Sequence, residues 1–184
     1  TTPRYIGFTL YTDYLRNIKR LISIIRNVSP ASILVCGGPH ASICDKSTLS
    51  ELDVEIVVRG NGEVPSLELL SGKRLSEITG ISYLIKGSYQ KNADSPSHSL
   101  DAFPSPDLSL IEPDSGFEYA PAIATGRGCP FRCSFCAAGT LSPRAVFRPM
   151  DLLEKDIIKL LPRCKREILV VVDDTFTVNP SRVL

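Results

Sequence analysis

The sequence predicts an α/β fold that consists of a partial doubly wound parallel sheet followed by one further βαβ unit. Apolar strands alternate with helical patterns over residues 1–91, and this order is typical of a parallel sheet. A proline-rich stretch then precedes a second strand, loop, helix and strand. We therefore predict a first domain over residues 1–91, a linker over residues 92–120 and part of a second domain over residues 121–184.

The first domain opens with a strand over Tyr5–Leu10 and a helix over Tyr14–Val28. Apolar residues recur at helical spacing in that helix, with arginine and lysine available for its solvent face. The elements predicted after it are a strand over Ile33–Cys36, a turn-rich stretch, a strand over Val54–Val58, a helix over Val64–Leu70 and a hairpin of Ile81–Ile85 and Ser88–Lys91 around Lys86–Gly87.

The linker is rich in proline, serine and aspartate, a composition that suits an extended connector better than a core element. After it, we predict a strand over Ala122–Thr125 that enters a loop. A helix capped by Asp151, with Glu154 three residues later, then runs as far as Pro162. A fully apolar strand over Ile168–Val172 completes the βαβ unit.

Composition narrows the class of protein. The 21 basic and 20 acidic residues give a net charge of +1, so the chain lacks the excess of positive charge that favours binding to nucleic acid or to an anionic membrane. It contains neither an apolar run long enough to span a bilayer nor a signal segment. We expect a cytoplasmic protein without nucleic acid or membrane partners. The six cysteines are unevenly placed, which favours reduced thiols, and we expect Cys36, Cys44 and Cys164 to be structural.

Three cysteines lie close together in the run GRGCPFRCSFCAAG, with Cys-x3-Cys-x2-Cys spacing. Thiolates this close can bind three irons of an iron–sulfur cluster and leave a fourth iron open. The glycines let the backbone wrap around such a cluster, and Phe131 and Phe135 supply a partly dry wall. The predicted ligands are Cys129, Cys133 and Cys136.

Structural zinc is an alternative for the same cysteines. Zinc sites take four ligands, and Cys164 is the candidate for the fourth, because His40 and His98 lie far upstream. A thioredoxin-like redox pair fits less well, since the third cysteine has no role in it.

The run CPFRCSFC resembles the signature of the radical S-adenosylmethionine enzymes, whose cysteine loop follows the first strand of a (β/α) barrel. The resemblance implies a four-iron, four-sulfur cluster whose open iron binds S-adenosylmethionine and cleaves it to methionine and a 5′-deoxyadenosyl radical. It also implies that the backbone around Phe135 lies near the adenine. Asp173 and Asp174 are then expected at the same barrel rim, with a solvated turn as the alternative.

Four segments of the first region, YIGFTLYTDY, VCGGPHAS, VEIVVRGNGE and LDAFPSPDLSL, resemble in this order the C-terminal part of a Rossmann-like cobalamin-binding domain found ahead of many radical S-adenosylmethionine enzymes. The resemblance implies that the loops Thr9–Tyr11, Gly37–Gly38 and Gly60–Glu63 surround the nucleotide tail of cobalamin, and that the glycines permit its close approach. Ordinary turn formation is the alternative role for these glycines.

The function implied by the two resemblances is radical chemistry on a small-molecule substrate, with a reductant such as flavodoxin or ferredoxin. The reaction is either cobalamin-dependent methyl transfer or an anaerobic oxidative ring cyclisation like that of magnesium-protoporphyrin monomethyl ester cyclase. Two alternatives stay open, a non-catalytic α/β binding module with structural zinc and a methylthiotransferase-like radical enzyme. We assign no catalytic side chain.

The resemblance also implies that the chain is an internal piece of its parent enzyme. It begins at what corresponds to a middle strand, after the usual Asp-x-His-x-x-Gly segment, and stops after the second barrel strand. Sheet edges that normally pair are then exposed. We expect self-association through these edges or a poorly ordered C-terminal third.

Overall fold

A computed structural model describes residues 2–105, 107, 121–163 and 168–183. The chain divides into two compact units, Thr1–Ser97 and His98–Leu184. Residues 106 and 108–120 of the predicted linker lie outside the described residues, as does Cys164, the candidate fourth ligand of the zinc alternative.

The first unit contains a five-stranded sheet whose strands follow chain order. Its strands are β1 (Tyr5–Thr9), β2 (Ile33–Gly37), β3 (Ile56–Val58), β4 (Ile81–Ile85) and β5 (Ser88–Lys91). The first three are parallel, whereas β4 and β5 add antiparallel partners. The predicted strands and the hairpin are confirmed within a residue or two, and the short hairpin turn explains why its two strands pair antiparallel.

Helices cover both faces of this sheet, which confirms the predicted α/β class. They are α1 (Leu15–Val28), α2 (Pro39–Ile43), α3 (Asp45–Glu51) and α4 (Glu63–Leu70). Buried side chains of α1, α2 and α3 pack in one core cluster with Leu34 and Cys36, while Leu69 of α4 packs in a second cluster with Ile56 and Val58. Because alternate strand residues point to opposite faces, the two clusters lie on opposite sides of the sheet.

The stretch between β2 and β3, predicted as turn-rich, instead forms α2 and α3. Gly38 precedes α2 with a φ of 93°, and Pro39 occupies the first helical turn, where its fixed φ suits a helix. Ala41 and Leu49 bury these two helices against the sheet. The predicted core role of Cys36 is confirmed, and burial raises the pKa of its thiol to about 11.

A buried ionic network lies beside the loop that follows β3. The side chain of Arg59 is 3.6 Å from the Asp45 carboxylate and donates to the carbonyl oxygen of Asn92 at 2.6 Å. Asp45 in turn accepts hydrogen bonds from Ser82 and Tyr89. Burial raises the pKa of Asp45, but these hydrogen bonds oppose it, and the net pKa lies below the usual value for aspartate. The network anchors the start of the Gly60–Glu63 loop.

The second unit contains two small sheets. In one, β6 (Ala122–Ile123) pairs in parallel with β9 (Val170–Val171); in the other, β7 (Gly126–Arg127) pairs antiparallel with β8 (Val146–Phe147). Three helices accompany them, α5 (Ala138–Leu141), α6 (Met150–Leu160) and α7 (Pro180–Val183). With α6 between β6 and β9, the predicted βαβ connection is present. The apolar strand β9 is about 40% exposed.

The predicted cap of α6 is wrong. Pro149 is the residue before the helix, Met150 is its first residue, and no side chain caps it. Asp151 lies in the first turn, where its carboxylate is 3.9 Å from Lys155 and favourably placed at the positive end of the helix dipole. None of the helices in the described part of the chain is long and apolar enough to cross a membrane.

Candidate functional site

The C-terminal ends of β1, β2 and β3 meet at one edge of the first sheet, because these strands are parallel. The amide of Leu10 donates to the carbonyl oxygen of Gly37 at 2.8 Å, which joins the first two loops. The amide of Gly60 donates to the hydroxyl of Ser42 at 2.9 Å, which joins the third. The three predicted cobalamin loops are therefore adjacent in space.

Glycine is required at Gly38 and Gly60 of this edge, where the backbone has positive φ, but not at Gly37. Gly38 has a φ of 93°, and a Cβ there would lie 3.0 Å from both the amide nitrogen of Leu10 and the side chain of Thr9. Gly60 has a φ of 66° and faces open space. Gly37 would tolerate a Cβ, whose nearest neighbour would be a carbonyl oxygen at 3.7 Å. Glycines at the ends of these strands permit the close approach of a ligand, as expected for the nucleotide tail of cobalamin.

The polar side chains of Thr12 and His40 also lie at this edge, although neither was a predicted site residue. His40 lies in α2, and its Nδ1 is 3.0 Å from the hydroxyl of Thr12. Thr12 follows the Thr9–Tyr11 loop directly. Glu63, a predicted cofactor contact, begins α4 and lies in its first turn. The threonine carried no sequence signal, since an isolated hydroxyl matches no binding motif.

The cysteine loop follows β7 and folds tightly on itself. The amide of Cys129 donates to the carbonyl oxygen of Ser142 at 3.0 Å. A Cβ at Gly128, whose φ is 85°, would lie 2.3 Å from the carbonyl oxygen of Arg144. A Cβ at Gly139 would lie 2.0 Å from the carbonyl oxygen of Phe131. Only glycine permits these close approaches of backbone to backbone.

The three predicted cluster ligands are free thiols on this one loop. Cys129 is half-buried, whereas Cys133 and Cys136 are exposed. The partly dry wall predicted from Phe131 and Phe135 is not seen in this structure, because the two side chains are 56% and 90% exposed. Within the described ranges, no three His, Cys, Asp or Glu side chains are grouped around a single-ion site. Three free cysteine thiols on one loop are the donor type that a four-iron cluster takes, with each thiolate binding a different iron.

Two carboxylates hold the segment that enters the loop. Asp173 accepts hydrogen bonds from the amide and the hydroxyl of Thr125, both at 2.6 Å. Asp174 accepts one from the amide of Gly128 at 2.8 Å. Both acids therefore contact the segment that leads into the cysteine loop, and these contacts are to the protein itself. A direct contact of either with a cofactor stays a prediction.

Thr175 was not predicted as a site residue, although it directly follows Asp174 in the chain. Its hydroxyl donates to the sulfur of Cys129 at 3.0 Å. The available signal was its position immediately after the two aspartates at the end of an apolar strand. Since the partners are 46 residues apart, the pairing itself depends on the fold.

Comparison with known proteins places this geometry in a family. Residues 1–70 match the B12 binding domain. An uncharacterised methyltransferase of Pyrococcus horikoshii is 28% identical over 193 residues, which cover 99% of this chain and 42% of that protein. An anaerobic magnesium-protoporphyrin IX monomethyl ester cyclase of Rubrivivax gelatinosus is 30% identical over 151 residues, which cover 73% of this chain and 27% of the cyclase.

The same fold occurs in a solved structure. The cobalamin-dependent S-adenosylmethionine radical enzyme OxsB, with aqua-cobalamin and S-adenosylmethionine bound, aligns with a TM-score of 0.76 and 21% identity. The alignment covers 95% of this chain and 26% of OxsB. The chain thus spans less than half the length of each of these proteins. The domain match, the relatives and the shared fold confirm the resemblance: the chain belongs to the radical S-adenosylmethionine enzymes that carry a cobalamin-binding domain.

Proposed function

We propose that this chain supplies the cobalamin edge and the cluster loop of an enzyme that methylates a small molecule by radical chemistry. The observation that carries the proposal is the set of three free thiols on one glycine-dependent loop, in a chain whose first 70 residues match the B12 binding domain. The methyltransferase of Pyrococcus horikoshii, which aligns over 99% of this chain, favours methyl transfer.

In this proposal, each of Cys129, Cys133 and Cys136 binds one iron and leaves the fourth iron without a protein ligand. When bound, such a cluster supplies the electron that cleaves S-adenosylmethionine to methionine and a 5′-deoxyadenosyl radical. Flavodoxin or ferredoxin in the cytoplasm would replace that electron. The exposure of Cys133 and Cys136 gives both the cluster and its ligand access from solvent.

Metal analysis after anaerobic reconstitution tests the ligand assignment. The full chain, treated with iron and sulfide, is expected to hold about four irons and about four sulfides. The triple variant Cys129→Ala, Cys133→Ala, Cys136→Ala is expected to hold none. Cys44→Ala is the matched control, since Cys44 is a half-buried free thiol of the other unit. A triple variant with unchanged iron content would overturn the assignment, and tightly bound zinc in place of iron would favour the non-catalytic alternative.

Gly37→Val tests the proposed cobalamin edge. Because a Cβ at Gly37 has its nearest neighbour at 3.7 Å, we expect the variant to fold normally. The added methyl groups occupy the edge, and overpacking of about 1–3 kcal/mol is expected to weaken cobalamin binding by about fivefold to about 150-fold. Spectrophotometric titration with cobalamin measures this. Gly7→Val is the control, because Gly7 is exposed within β1 and faces open space. Equal affinities for the two variants would contradict the assignment.

Oxidative ring cyclisation is the second candidate, favoured by the 30% identity to the cyclase of Rubrivivax gelatinosus. The two reactions leave different products. Methyl transfer from S-adenosylmethionine leaves S-adenosylhomocysteine. Reductive cleavage leaves methionine and a 5′-deoxyadenosyl radical, which becomes 5′-deoxyadenosine when it takes a hydrogen atom from the substrate. Mass spectrometry of a reduced reaction mixture separates them. S-adenosylhomocysteine together with 5′-deoxyadenosine supports radical methylation, and 5′-deoxyadenosine without S-adenosylhomocysteine supports cyclisation.

A further inference from the structure

Thr175 contacts a proposed cluster ligand from outside the cysteine loop. Its Oγ1 is 3.0 Å from the sulfur of Cys129, and both side chains are half-buried. A thiolate bound to iron has no proton, so its sulfur can only accept a hydrogen bond. The threonine hydroxyl must then be the donor, which agrees with the observed hydrogen bond from Thr175 to Cys129.

The hydroxyl is held in place by its neighbours. Asp173 and Asp174 bind the segment that ends at Cys129, through the two hydrogen bonds to Thr125 and the one to Gly128. The strand before these acids is paired in parallel with the strand that leads to the cysteine loop. Donor and acceptor are therefore fixed by the same set of contacts, which is the arrangement expected of a support for a metal ligand.

We propose that the Thr175 hydroxyl raises the reduction potential of the cluster bound at Cys129. The inference rests on the proposed function, because it requires that cluster. Reduction adds one negative charge, which is spread over the cluster and its sulfur ligands. A hydrogen bond to a ligating sulfur stabilises the more negative, reduced state more than the oxidised one, so it makes reduction easier. Thr175 is thus a positioning residue that acts through Cys129.

Thr175→Val tests the proposal, because valine has the shape of threonine but no donor. The readout is the midpoint potential of the reconstituted full chain, from an anaerobic dithionite titration followed by EPR. At a fixed potential, we expect the ratio of reduced to oxidised cluster to fall up to about tenfold, which corresponds to about 59 mV for a one-electron couple. Thr175→Ser, which keeps the hydroxyl, is expected to have the wild-type potential. Thr177→Val is the matched control at an exposed threonine.

Each outcome bears on one proposal. A loaded Thr175→Val chain with an unchanged potential overturns the inference and leaves the cluster assignment standing. Failure of the wild-type chain to load iron contradicts the proposed function instead. If Thr175→Val does not load, Thr175→Ala carries the same expectation without the extra methyl group. If neither variant loads although circular dichroism shows them folded, recovery of loading by Thr175→Ser supports the hydroxyl contact, and no recovery overturns it.

Discussion

Replacing Arg148 with methionine is expected to destabilise the second unit by about 3–5 kcal/mol, the usual cost of leaving one member of a buried ion pair alone. Arg148 is 7% exposed and its partner Asp156 is 5% exposed. The guanidinium Nε is 2.5 Å from the Asp156 carboxylate, and Nη1 donates to the carbonyl oxygen of Leu100 at 2.6 Å. Methionine fills the space but leaves a carboxylate without its countercharge. Hydrogen exchange of the α6 amides in the full chain measures the local loss of stability.

Two variants control this experiment. Arg144→Met removes an exposed arginine nearby and is expected to change stability little. The double variant Arg148→Met, Asp156→Leu removes both charges and is expected to recover most of the lost stability, since an apolar pair of similar size can replace a buried ion pair. Protection factors for Arg148→Met that match those of Arg144→Met would show that the pair contributes little.

Gly128→Ala is expected to abolish cluster loading and to cost about 2–5 kcal/mol. Two penalties combine: about 1–2 kcal/mol for a left-handed backbone with a Cβ, and about 1–3 kcal/mol for overpacking. The clash is with backbone, because the new Cβ would lie 2.3 Å from the carbonyl oxygen of Arg144 and 2.7 Å from that of Ser142. Relief requires the loop around Cys129 to move. Iron content after reconstitution and urea denaturation followed by circular dichroism measure the two effects.

Gly87→Ala separates the two penalties. Gly87 has a φ of 79°, close to the 85° of Gly128, but its Cβ position has no neighbour within 4 Å. This variant is expected to lose about 1–2 kcal/mol and to load iron normally. A Gly128→Ala chain that loads as much iron as Gly87→Ala would contradict the proposed need for a tight loop.

Local patterns predicted much of the first sheet. Short apolar runs marked the strands, and the Lys86–Gly87 pair between two predicted strands marked the hairpin turn. Both residues adopt positive φ, as in a type I′ turn. The helices α2 and α3 were not predicted, since each is short and lacks a clear apolar period. The start of α6 was misplaced for a related reason: Asp151 and Glu154 match a capping motif, but Pro149 ends the extended segment one residue before the helix begins.

In the candidate site, too, the local features could be predicted from the sequence and the long-range contacts could not. The spacing of Cys129, Cys133 and Cys136 is local, so the sequence alone identified the loop. The contacts that hold the loop are not local. Asp173 and Asp174 were singled out from the sequence, but their partners are mainly backbone amides 46 to 48 residues away, which no side-chain pattern encodes. The hydroxyl of Thr175 was found only from the folded geometry.

The central claim is that the three thiols near position 130 hold an iron–sulfur cluster with one open iron. EPR of the anaerobically reconstituted and reduced full chain, recorded without and with S-adenosylmethionine, tests it most directly. We predict a cluster signal that changes on addition of S-adenosylmethionine, because the ligand binds the open iron. An iron-loaded chain whose signal is unaffected by S-adenosylmethionine, or a chain that takes up no iron at all, would contradict the claim.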